Sequence, residues 1–175
     1  GLSQVAAKRA YAQAGITPQD IDVAEVHDAT SFCEIYQAEM LGFCEIGTGG
    51  AFVGSGATAL GGTIPVNLSG GLVSKGHPVG ATGLSMIYEL TSQLRGECGP
   101  RQVQGAHMAL AENGGGVIGF DEAACAITEA QAEPTMPISG APRLPKISTQ
   151  LSPAFTAKAA KVAQSTILVR SSADK

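Results

Sequence analysis

Apolar side chains recur at helical spacing at the start of the chain, contract to a short continuous run, and then return to helical spacing. Residues 3–14 carry Val5, Ala6 and Ala10 between polar positions, with Ser3 as a predicted cap and Gly15 as a natural stop, and so predict a helix. Thr17-Pro18-Gln19-Asp20 reads as a cap and first turn. Ile21, Val23 and Val26 then form a run that predicts a buried strand ending at His27. From about Ser31 to Leu41, Phe32, Ile35, Tyr36 and Met40 share one helical face, and Gly42 closes it. Gly47 to Gly62 is nearly free of charge and reads as a loop packed over the sheet, with Thr63 to Val66 as a short strand after it.

A glycine-dense stretch follows, from Asn67 to Gly83, and predicts a tight loop. Leu84, Ile87, Tyr88, Thr91 and Leu94 then fall at helical spacing, which predicts a helix opening at Pro78 and running to about Arg95. Ala106 to Ala111 reads as a strand, Glu112-Asn113-Gly114-Gly115-Gly116 as a sharp turn, and 117–128 as one or two closing strands. Beyond about Ala130, Pro134, Pro137, Pro142 and Pro145 break any regular element, so 131–150 reads as a linker or a strap laid over a surface. A short helix from Ser152-Pro153 through Gln164 and a strand over 166–169 complete the expectation.

Composition narrows the classes. Of the 175 residues 44% are hydrophobic, enough for a core, and no apolar run approaches the length of a membrane span. No basic-then-apolar leader precedes the first helix. The net charge of −4 comes without a Lys/Arg block, which argues against a nucleic-acid surface. The four cysteines form no CxxC pair, so reduced thiols in a cytoplasmic compartment are expected. Three histidines and four cysteines suggest no metal constellation.

Candidate chemistry starts with His77. At a helix N-terminus a histidine faces the positive end of the helix dipole, which favours a neutral imidazole suited to polarising a carbonyl or holding an oxyanion. His27 closes a predicted strand, where sites of open α/β sheets collect. Lys75 reads as a solvated lysine, with phosphate binding as the alternative, and His107 as a structural strand residue.

The stretch from Asn67 to Gly83 resembles the C-terminal half of the thiolase family, whose Asn-x-x-Gly-Gly…Gly-His-Pro-x-Gly loop it matches at Asn67, Gly70, Gly71, Gly76, His77, Pro78 and Gly80. The resemblance extends over residues 1–130, leaving 131–175 as a tail of unassigned role. It implies an α/β fold with a mixed sheet covered by helices, and chemistry beside the carbonyl of an acyl-CoA thioester, taken as substrate with no further cofactor. His77 would hold the thioester oxygen and activate a thiol, with Asn67 and Gly76 helping to form the substrate and oxyanion site. The 47–62 segment would be a candidate wall of the acyl pocket.

Two loops depart from the pattern. His27-Asp28 matches the His-Asp-Cys-Phe of the sterol-carrier-protein type, with Ala29 in place of its cysteine. Cys33, one helical turn on, is a possible substitute, although a cysteine there is ordinarily a small core residue. At the family's Cys-x-Gly-x-Gly, Glu112 stands on the cysteine, and Gly114 and Gly116 on the glycines. The resemblance makes the Gly114 N–H an oxyanion donor. Glu112 would be a proton shuttle if burial raises its pKa, or merely an acceptor of local N–H groups.

The nucleophile-bearing N-terminal half is missing from these residues. The resemblance therefore implies a domain inactive alone, completed by that half or by a second polypeptide in an oligomer. The alternatives are a retro-aldol acyl-CoA lyase subunit, and a non-catalytic acyl-CoA-binding or scaffold subunit. Both enzyme readings require His77 and Glu112 to converge on one pocket.

Overall fold

The computed structural model describes residues 1–118, 121–132 and 146–151. Among these, helices α1 (Leu2–Ala14), α2 (Ser31–Met40), α3 (Gly49–Gly54), α4 (Gly71–Lys75) and α5 (Thr82–Arg95) accompany strands β1 (Val23–Glu25), β2 (Met108–Ile118), β3 (Asp121–Gln131) and β4 (Lys146–Leu151). The strands form one mixed sheet in the order β1-β2-β3-β4, in which β1 and β2 are parallel and the remaining pairs antiparallel. The expected α/β architecture is present.

Each face of the sheet has its own core. On one, Ala6, Ala7, Ala10 and Tyr11 of α1 meet Ala24, Leu110, Cys125 and Ile127. On the other, Met86 and Leu90 of α5 meet Val23, Ala109, Ala111 and Ala130. The alternation Val23/Ala24 and Ala109/Leu110/Ala111 between the two clusters is the period-2 pleat of strands buried on both faces.

Several expected elements differ. Ser3 is not a cap: it lies inside α1, fully buried, behind Gly1. Helix α3 occupies part of the segment read as loop, because the Glu39 carboxylate of α2 accepts the N–H of Gly49 (2.8 Å) and so satisfies one of its orphan donors from a distance. Helix α5 starts at Thr82 rather than Pro78. The Pro78 carbonyl accepts the N–H groups of Ala81 (2.7 Å) and Thr82 (3.0 Å) in a turn, and Gly80 inside it is a poor helix former.

The sharp turn expected over 112–116 is instead part of β2. Pairing continues through Glu112↔Ile127, Asn113↔Ala126, Gly114↔Cys125 and Gly115↔Ala124, so the ladder with β3 prevails over the turn preference of three glycines. The strap expected over 131–150 contains β4, which pairs with β3 from Lys146↔Gln131 to Leu151↔Ala126. The helix expected through Gln164 and the strand over 166–169 lie outside the described residues.

Candidate active site

The site grows out of the β1–β2 register. Glu25 pairs with Ala111, so two residues further on the parallel ladder points His27 toward Asn113. On the other side of β1, Ala24 bridges Val66 in parallel, which brings the next residue, Asn67, to the same end of the sheet. Asn67 holds that end together: its N–H donates to the Ala24 carbonyl (2.9 Å), and its Oδ1 accepts the Val26 N–H (2.8 Å). Its φ of 55° is in the left-handed region, where asparagine is the side chain best tolerated after glycine.

The loop after Asn67 is clamped by acids of the first loop and strand. Asp28 is buried, and its Oδ1 accepts the Leu72 N–H (2.7 Å) in α4. Gly71 has φ 60°, and a Cβ there would collide with the Asp28 carboxylate, so the loop needs glycine on two counts. Glu25 takes the Ser69 hydroxyl (2.6 Å), the Ser69 N–H (3.2 Å) and the Lys75 ammonium (3.2 Å). Burial pushes the Glu25 carboxyl above its ordinary value, opposed by Ser69 and Lys75. Lys75 is therefore turned back onto a buried carboxylate, which corrects its reading as a solvated lysine and engages it away from a phosphate.

Gly76, at φ 95°, then turns the chain so that His77 projects at the exposed rim. His77 Nδ1 lies 2.7 Å from the Thr82 hydroxyl at the start of α5. Helix α5 thus begins five residues beyond His77 rather than at Pro78, and the imidazole reaches its N-terminal end through the Thr82 side chain. His77 also meets His27: the rings are edge to face, with centroids 4.8 Å apart and planes at 88°. His27 Nδ1 is in turn 3.1 Å from Asn113 Oδ1.

These side chains line a cleft of ≈ 330 Å³ with Val79, residues 114–116 of β2 and 124–126 of β3. Gly114 is thus at the cleft, in a strand. Glu112 is not among the lining residues. Its side chain is 0% exposed, its Oε2 accepts the backbone N–H of His27 (3.0 Å), and its Oε1 accepts the Cys125 thiol (3.4 Å). Consecutive strand residues face opposite sides of a sheet, so Asn113 rather than Glu112 turns toward the imidazoles. His27 and His77 come together as expected, while the convergence expected of His77 and Glu112 is absent.

Asn113 and Thr82 were not anticipated. Continuing the alternation of β2 past Ala111 would have placed Asn113 on the α5 face. Cys33 pairs with the Thr30 hydroxyl (3.2 Å) and, like the 47–62 segment, contributes nothing to the cleft lining. His107 is exposed, and its N–H is held by Asp22 (2.7 Å). Among the described residues no group of three or more His, Cys, Asp or Glu is placed to hold a metal, and no helix is long and apolar enough to cross a membrane.

Residues 2–129 match a family model described as thiolase C-terminal domain-like. Sterol carrier protein 2 of Homo sapiens is 47% identical over 149 residues, 80% of this chain and 27% of that protein. An acetyl-CoA acetyltransferase of Methanothermobacter thermautotrophicus is 50% identical over 114 residues, 65% of this chain and 30% of that protein. Among solved structures, the Ltp2-ChsH2(DUF35) aldolase superposes with a TM-score of 0.58 at 23% identity, covering 86% of this chain and 31% of that one, a likeness of fold. The chain spans about a quarter to a third of the length of these relatives.

Proposed function

Since the chain belongs to the thiolase family as a C-terminal domain-like unit, we propose that it supplies the imidazole half of an acyl-CoA C-acyltransferase site. The nucleophilic cysteine would come from an N-terminal thiolase half, on another polypeptide or beyond these residues, in a cytoplasmic oligomer. The observation that carries the reading is the meeting of two imidazoles from distant loops, His27 and His77, at 4.8 Å over one cleft.

In this reading the partner's cysteine gives its thiol proton to His77 and attacks the thioester carbonyl. The oxyanion is held at His77 and the Gly114 N–H, and its collapse breaks the C–S bond so that coenzyme A leaves as its thiol with the proton returned from His77. The second imidazole then takes the α-proton of a second acyl-CoA, whose α-carbon attacks the acyl-cysteine, forming the C–C bond and releasing the cysteine thiolate; thiolysis runs these steps in reverse. Glu112 supports that imidazole through its backbone and takes no proton from substrate. Asn67 and Gly76 shape the loop that presents His77. Val73, Val79, Leu84 and Tyr88, all exposed apolar side chains on or just after that loop, are the surface where the missing half would sit.

The test is the native mass of the purified chain, identification of whatever co-purifies, and thiolysis of acetoacetyl-CoA by the assembly. The expected result is a heavier complex with turnover, reduced on the order of 10²- to 10⁴-fold by His77→Ala. A lone chain with no partner and no turnover would overturn the proposal. A complex that binds acyl-CoA without converting it would make this a binding subunit.

The location of Glu112 counts against the expectation that either enzyme reading uses its carboxylate; both then rest on the two imidazoles, and the second reading is a retro-aldol one. With its carboxylate turned from the cleft, the buried thiol of the lining residue Cys125 donated to that carboxylate, and Ala29 in place of a cysteine, the described cleft offers two imidazoles and an amide. A retro-aldol cleavage of a β-hydroxyacyl thioester needs only that much. A base takes the hydroxyl proton, the Cα–Cβ bond breaks to give a carbonyl product and a thioester enolate, and the enolate is held by oxyanion donors until it is reprotonated. Turnover of β-hydroxyacyl-CoA without thiolysis would select it.

A further inference from the structure

His27 Nδ1 faces the carbonyl end of the Asn113 amide. In that orientation Oδ1, 3.1 Å away, carries no proton, so the imidazole is the donor. In the neutral ring the other nitrogen, Nε2, then carries the lone pair. At His77 the partner of Nδ1 is the Thr82 hydroxyl (2.7 Å), whose own proton goes to the Pro78 carbonyl (3.3 Å). We propose that Asn113 is the positioning residue that fixes His27 in the Nδ1–H tautomer, making Nε2 of His27 a committed proton acceptor of the cleft. The acceptor role rests on the function proposed above, whereas the tautomer rests on geometry alone.

The surroundings hold both partners in place. Position 113 continues the β1–β2 register opposite position 27, so the amide and the ring share one face of the sheet. The amide lies against α5 at Gly83, where a Cβ would come within 3.0 Å of Asn113 Nδ2. Glycine there leaves room for the amide, and α5 backs it. From the opposite face, Glu112 Oε2 holds the His27 backbone N–H (3.0 Å). Two consecutive strand residues thus grip the same histidine, one by its backbone and one by its ring. A group that has to accept a proton repeatedly at one nitrogen needs such an orienting partner on the other.

The experiment is long-range ¹H–¹⁵N correlation of the histidine side chains in the full chain at about pH 8.5, where an ordinary histidine is neutral. Two variants isolate the contact: Asn113→Ala removes the acceptor and Asn113→Asp keeps one at the same place, while the exposed His107 serves as internal reference. The expected wild-type pattern for His27 is a protonated Nδ1 and a bare Nε2. In Asn113→Ala the two nitrogens should shift toward each other as both tautomers populate, and Asn113→Asp should restore the wild-type pattern. A protonated Nε2 on His27 in the wild type, or a pattern that Asn113→Ala leaves unchanged, would overturn the inference. If Asn113→Ala fails to fold, as reported by displaced His107 signals, the wild-type and Asn113→Asp spectra still decide it. No substrate enters the measurement, so an absence of thiolysis would count against the proposed function and leave the tautomer standing.

Discussion

Glu25, Asp28 and Glu112 are buried carboxylates whose oxygens are taken up by the loops that carry the histidines, whereas Glu129 on β3 is a different case. It is 5% exposed, and its Oε1 has no hydrogen-bond partner among the described residues. Burial raises its pKa, and the pKa of Tyr11 is raised too, by burial first and by Glu129 second. For an acid whose folded pKa lies above its unfolded one, the folded state binds more protons in between, so stability falls as pH rises through that window. Glu129→Gln should therefore stabilise the chain at neutral pH, and its advantage should vanish toward about pH 4, the unfolded carboxylate range. Urea unfolding midpoints of both proteins across that range check it, and a constant difference at all pH values would refute it. At this scale the sequence made His27 and His77 legible, because a strand end and a Gly-His-Pro loop are local patterns. It misplaced the action at 112–113, because the parity of one strand decides which of two neighbours faces the cleft.

Helix α5 shows what a single element contributes. Leu90 is buried against Val23, Ala109 and Ala111, while Leu84 and Tyr88 on its other side are 63% and 74% exposed. Leu90→Ala should cost about 2–5 kcal/mol, the range for a buried leucine. Leu84→Asp should stay within about 0.5 kcal/mol, as surface changes do. Chemical denaturation of the two variants measures both, and equal costs would mean that the helix is seated otherwise. The helical run to Arg95 was legible from its periodicity, but its start was not, since the turn at Pro78 is closed by carbonyl contacts that no spacing reveals. Helix α3 and the strand course of β2 were hidden for the same reason: a carboxylate from α2 caps the one, and pairing with β3 extends the other.

At the scale of the whole molecule, the apolar side chains around the His77 loop remain uncovered while both sheet faces are packed. If they receive the missing half, Leu84→Asp combined with Tyr88→Asp should lower the native mass of the assembly to that of the lone chain, with the fold intact by circular dichroism. An unchanged assembly would place the contact elsewhere. What the sequence determined by itself was the alternation of helix and strand, the resemblance over residues 1–130 and the two histidines, because periodicity, glycine placement and short motifs act within a few residues of each other. The tertiary structure alone decided that Asn113 meets His27, that Glu112 braces a backbone from behind the sheet, and that Lys75 pairs with Glu25. Those contacts join residues 50 to 86 positions apart in the chain, through strand register and pleat parity that leave no local trace.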